Sequence, residues 1–95
     1  MLIAVGFIRI RPCLPILKVE LFSLGRLEEN VLVDQLLKFI KTSNGKIIPW
    51  EEKEAYPTDM GNRFPLSICC FLEFKSFNEL EEFEEKSNGY EFFQN

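Results

Sequence analysis

Ninety-five residues, a net charge of −4 and 46% hydrophobic side chains describe one folding unit spanning residues 1–95. A chain of this size buries roughly 60–65% of the surface its unfolded form exposes, enough for a single two-layer core. Ten phenylalanines exclude a disordered chain, because bulky apolar side chains offset the entropy of ordering. The chain has no histidine, so Ser-His and Cys-His nucleophile pairs and imidazole zinc sites cannot be built within it.

The first segment, residues 2–10, is apolar and runs into Arg9 and Arg11, so it reads as a strand and not as a signal peptide. Arg11-Pro12-Cys13-Leu14-Pro15 marks a turn or a break. A second strand follows over 16–22, where Leu17, Val19 and Leu21 alternate with Lys18 and Glu20. From about Arg26 to Thr42 the period becomes helical. Val31, Leu32, Leu36, Phe39 and Ile40 form one apolar stripe, with acids early and lysines late.

Ser43-Asn44-Gly45 closes that helix, and its glycine is expected to supply a left-handed stop. Lys46 to about Trp50 reads as the next strand, and residues 51–65 as a long connection. Leu66 to Phe74 is the strongest strand and is expected to be central. Ser76-Phe77-Asn78-Glu79 fits a capping box opening a second helix. The same tripeptide, Ser87-Asn88-Gly89, ends it before a short strand at Tyr90 to Phe93.

Strand–helix–strand twice over predicts an α+β fold, a ferredoxin-like β-α-β-β-α-β two-layer sandwich with an extra N-terminal strand. That extra strand lacks an obvious place. It either displaces the short C-terminal strand or adds to an edge, and a simple hairpin with 16–22 is not accommodated.

Cys70-Phe71-Leu72-Glu73-Phe74, a capped acidic helix and Asn88-Gly89-Tyr90-Glu91-Phe92 together resemble the second half of an RNA recognition motif. Asp34–Phe39 and Gly45–Ile48 are compatible with its first helix and second strand. The resemblance implies base stacking on the sheet, with Phe71 and Phe74 at two aromatic positions of the third-strand pattern. Cys69 and Lys18 stand where the other stacking rings of that family fall.

Charge is divided along the chain. Residues 1–50 carry 7 basic and 4 acidic groups, and residues 51–95 carry 4 and 11. Arg9, Arg11, Lys18 and Lys46 would make a basic patch if they converge. Glu79, Glu81, Glu82, Glu84 and Glu85 make the second helix acidic, a solvated outer face or a docking face for a basic partner.

The function expected is a small non-catalytic binding module for a protein partner or small ligand, acting through the sheet face and the 50–65 loop. Its candidate contact residues are Trp50, Tyr56, Asp59, Arg63 and Phe71, with no metal and no cofactor. Alternatives are a degenerate RNA binder centred on Phe71 and a small dimeric barrel enzyme using Tyr56, Asp59 or Arg63. Apolar residues on both faces of several strands suggest sheet-to-sheet pairing in a homodimer. The three cysteines, with no Cys-x-x-Cys pair, are expected to be small buried residues in a reducing cytoplasm. No apolar run approaches the ~20 residues that span a bilayer.

Overall fold

A computed structural model describes residues 2–24, 28–49, 54–57 and 67–94. The chain opens with two long strands, β1 (Ile3–Cys13) and β2 (Ile16–Ser23), joined by the two-residue turn Leu14-Pro15, whose peptide bond is cis. Helix α1 (Glu29–Lys41) follows, then the short strands β3 (Lys46–Ile48) and β4 (Tyr56–Pro57). The central strand β5 (Ser67–Glu73), helix α2 (Phe77–Ser87) and β6 (Glu91–Gln94) complete the chain.

The sheet is antiparallel, in the order β3-β5-β2-β1-β6, with β4 pairing β5 beyond β3. This order corrects the ferredoxin-like expectation. β1 and β2 do form a simple hairpin, and β1 occupies the position beside β2 that the last strand takes in the ferredoxin-like order. β6 is displaced outward onto the far edge of β1. The insertion also reverses a direction. β2 and β3 run parallel on either side of β5, as a helical crossover requires, whereas β5 and β6 are antiparallel to each other. The right-handed crossover rule therefore applies to β2–α1–β3 alone.

One sheet face carries the core. Ile8, Ile10, Leu17, Val19, Leu21, Ile68, Cys70 and Leu72 are buried there against Leu32, Leu36 and Ile40 of α1 and Leu80 and Phe83 of α2. Both helices thus lie on the same side, which gives two layers. Of the α1 stripe read from the sequence, Leu32, Leu36 and Ile40 are buried and Phe39 packs partly buried beside them, while Val33 and not Val31 joins them against the core. β5 is central as expected, and Ser67 to Cys70 are buried on both of its faces.

The two Ser-Asn-Gly tripeptides stop their helices by different means. Gly89 has φ +85° and supplies the left-handed turn expected of it. Its N–H donates to the Ile8 carbonyl at 2.8 Å, and the Asn88 side-chain oxygen accepts from the Ile10 N–H at 3.0 Å. The turn after α2 therefore extends the pairing of β1 past the end of β6. Gly45 does not adopt a left-handed φ, contrary to expectation. α1 ends instead as Thr42 and Ser43 hydroxyls donate back to the Phe39 and Ile40 carbonyls at 2.7 and 2.6 Å. Gly45 answers a different need, since a Cβ there would stand 2.9 Å from the Phe74 ring.

Two substitutions test this packing. Leu72 is fully buried between sheet and helices, so Leu72→Ala is expected to lower unfolding free energy by about 3 kcal/mol in a urea titration. At Gly6 a Cβ would meet the Phe22 carbonyl oxygen at 2.9 Å, and backbone yields poorly. Gly6→Ala is expected to cost about 1–3 kcal/mol by the same measurement.

Candidate binding surface on the open sheet face

Strand alternation sends every second residue to the face the helices leave uncovered. The two-residue turn fixes the hairpin so that Phe7 opposes Phe22, Arg9 opposes Glu20 and Arg11 opposes Lys18. On the other side of β2, Lys18 opposes Phe71 and Glu20 opposes Cys69, and Phe71 in turn opposes Ile48 of β3. Three of the four basic residues considered from the sequence, Arg9, Arg11 and Lys18, therefore converge. Lys46 lies across from Glu73 at the edge.

The hairpin end of this face is built on rings. Phe7 and Phe22 stack with centroids 5.2 Å apart and planes 12° from parallel, and the Arg9 guanidinium lies 5.4 Å from the Phe22 centroid. That geometry holds a cation against an aromatic face while leaving Arg9 exposed. Beside it, Glu20 is buried although it points away from the helices. Its Oε1 lies 3.5 Å from Arg11 Nε as an ion pair, and that oxygen has no hydrogen-bond partner. The Arg11 side chain is 62% exposed, so solvent screens the pair and its contribution to stability is small. The surface presents two outward guanidinium groups over a sunken carboxylate.

Phe71 sits at the centre of β5, partly exposed, between Lys18 and Ile48. Tyr56 belongs to β4, and its backbone pairs with Cys69, two residues from Phe71. Trp50, Asp59 and Arg63 lie outside the described residues, as does most of the 50–65 loop. The Phe7–Phe22 stack and buried Glu20 were not singled out in the sequence. Assigning Leu14-Pro15 as a tight turn would have found them, because the whole hairpin register follows from it.

The cysteines divide into two kinds. Cys13, at the hairpin tip, is exposed, which corrects the expectation that all three are buried. Cys69 and Cys70 are buried on opposite faces of β5. Burial, reinforced by the neighbouring Cys69, pushes the Cys70 thiol up to about 12, so it stays protonated and unreactive at neutral pH. Among the described residues no three His, Cys, Asp or Glu side chains gather as metal ligands would. Among the same residues no helix is long and apolar enough to cross a membrane. No family model, curated protein or solved structure matches the chain.

The raised Cys70 thiol has a signature in alkali. An unfolded thiol ionises near its ordinary value and the folded one near 12, so folding stability is full below about pH 9 and falls between 9 and 12. The expected slope is about 1.4 kcal/mol per pH unit from this group, and Cys70→Ala should flatten the stability–pH curve relative to wild type. In a thiol-reagent assay on the folded protein, Cys13 should react fast and the other two only on unfolding.

Proposed function

We propose that the protein is a small non-catalytic binding module that holds a protein partner on the open sheet face. The partner supplied by this chemistry is an extended segment carrying carboxylates and apolar side chains. Its acids would meet Arg9 and Arg11, and its apolar groups the surface shared by Phe7, Phe22 and Phe71. The observation that carries this reading is Arg9 seated on the stacked Phe7–Phe22 pair, with Arg11 alongside and both guanidinium groups exposed. Arginine and aromatic residues concentrate binding energy at interfaces because they combine large contact area with fixed donor geometry.

Single-stranded RNA is the second reading, favoured by Lys18 directly opposite Phe71 on the adjoining strand. Stacking on Phe71 with a phosphate at Lys18 would use that pair. Three cations around a sunken Glu20 are few for a polyphosphate, which places this reading second.

Fluorescence anisotropy with a labelled Glu/Phe-rich peptide and a labelled oligouridylate separates the two. The peptide should bind, and the double substitution Arg9→Ala, Arg11→Ala should weaken it at least about tenfold. Glu20→Gln should tighten it by removing the competing carboxylate. Oligouridylate binding with a log–log salt slope near −2, roughly that of three phosphate contacts on a single strand, would move the assignment to RNA. Binding of neither probe would sink both. A concentration-dependent dimer in sedimentation velocity that the double substitution dissociates would give the face to self-association.

A further inference from the structure

An asparagine followed by glycine is prone to lose its side-chain amide, and this chain carries that pair twice in the same tripeptide. We propose that Asn44 is a site of spontaneous deamidation in the folded protein, while Asn88 is protected by its attachment to β1.

The chemistry sets what must be compared. Solvent hydroxide takes the glycine amide proton, and the freed nitrogen attacks the asparagine Cγ. A cyclic imide forms as the Cγ–Nδ2 bond breaks, and ammonia leaves after taking a proton from water. Water then opens the ring at either carbonyl, giving aspartate or isoaspartate. Glycine favours closure because it has no Cβ to hinder the approach. The N–H must be given up, and the asparagine side chain must swing over the nitrogen that follows it.

Both asparagines are exposed, so access to water does not distinguish them. Hydrogen bonding does. The Gly89 N–H donates to the Ile8 carbonyl at 2.8 Å, and Asn88 Oδ1 accepts from the Ile10 N–H at 3.0 Å. Nucleophile and electrophile are thus each tied to β1. Backbone conformation adds a second barrier. Ring closure in an L residue eclipses the side chain with the next nitrogen, which requires a strongly negative ψ. Asn88 has ψ 124°, which turns the Gly89 nitrogen away from its side chain.

At the first tripeptide the Gly45 N–H donates to Ser43 Oγ at 3.1 Å, two residues back in the same turn. That hydroxyl is itself committed to the Ile40 carbonyl at 2.6 Å. The bond is local and ties the nitrogen to no strand, so it opens without disturbing the sheet. The product acts on its surroundings. A carboxylate at residue 44 stands at the C-terminal end of α1, where the helix dipole disfavours an anion. Glu79 and Glu82 line the same cavity and repel it further. Isoaspartate also lengthens the main chain by one carbon just before Gly45, where a Cβ would already stand 2.9 Å from the Phe74 ring. β3 begins at the next residue, so deamidation loosens its three-residue pairing with β5.

The test incubates the intact protein at mildly alkaline pH, with and without denaturing urea. Trypsin then separates residues 42–46 from residues 87–95, and mass spectrometry reads the conversion of amide to acid in each. The urea sample gives each site its unprotected rate. Relative to that rate, Asn44 in the folded protein should convert at least about tenfold faster than Asn88, whose reaction must first break bonds to a strand. Ser43→Ala, which frees the Gly45 N–H, should hasten conversion at Asn44 alone. Amide exchange in the aged protein should quicken at Lys46–Ile48. Equal relative rates at the two sites, faster conversion at Asn88, or an Asn44 that converts only in urea would overturn the proposal.

Discussion

The architecture depends on the register of the β1–β2 hairpin. A two-residue turn at Leu14-Pro15 leaves Cys13 and Ile16 as the first pair, and every later pair through Gly6–Ser23 is then determined. A slip of one residue between the two strands would turn one of them over, sending either Ile8 and Ile10 or Leu17, Val19 and Leu21 to the open face and bringing that strand's basic residues under the helices. The core and the candidate binding surface are thus two sides of a single alignment. Pro12 fits because β6 pairs β1 only as far as Phe7, leaving an unpaired edge where a missing N–H is tolerated.

Placing this hairpin in the middle of the sheet has consequences at both ends. It separates β6 from β2, so the connection through α2 must cross β2 and β1 before turning back along the far edge. The Asn88-Gly89-Tyr90 turn makes that landing, giving β1 three further hydrogen bonds before β6 begins. The same arrangement polarises the molecule. The arginines of β1 come to the open face, while the glutamates at 81, 82 and 85 of α2 are exposed on the helical layer.

The elements were legible from periodicity, capping and the repeated tripeptide, since these are local signals. The α1 stripe, the Ser76 cap and the centrality of β5 could all be read that way. Strand order could not, because the order placing β6 beside β2 and the order inserting β1 between them bury similar apolar patterns. The competing fact was the tight turn at Leu14-Pro15, which a Pro-Cys-Leu-Pro run disguises as a break. Gly45 shows a second limit. In sequence it matches Gly89, yet one is required by backbone conformation and the other by the Phe74 ring. Of the candidate site, the basic residues and Phe71 were legible individually, whereas the Phe7–Phe22 platform and the sunken Glu20 exist only once strands are paired.

The far edge of β5 is shared by two short pieces, Lys46–Ile48 and Tyr56–Pro57, with residues 49–55 between them. At the opposite margin, β6 is only four residues long. Among the described residues, neither margin therefore offers a neighbouring molecule a long run of unpaired amide and carbonyl groups to copy. A sheet bounded in this way resists growth by addition of further strands, the route by which flat edges seed aggregates. Short border pieces thus let a phenylalanine-rich chain keep Phe7, Phe22 and Phe71 partly exposed on the face away from the helices without offering a long edge to a second molecule.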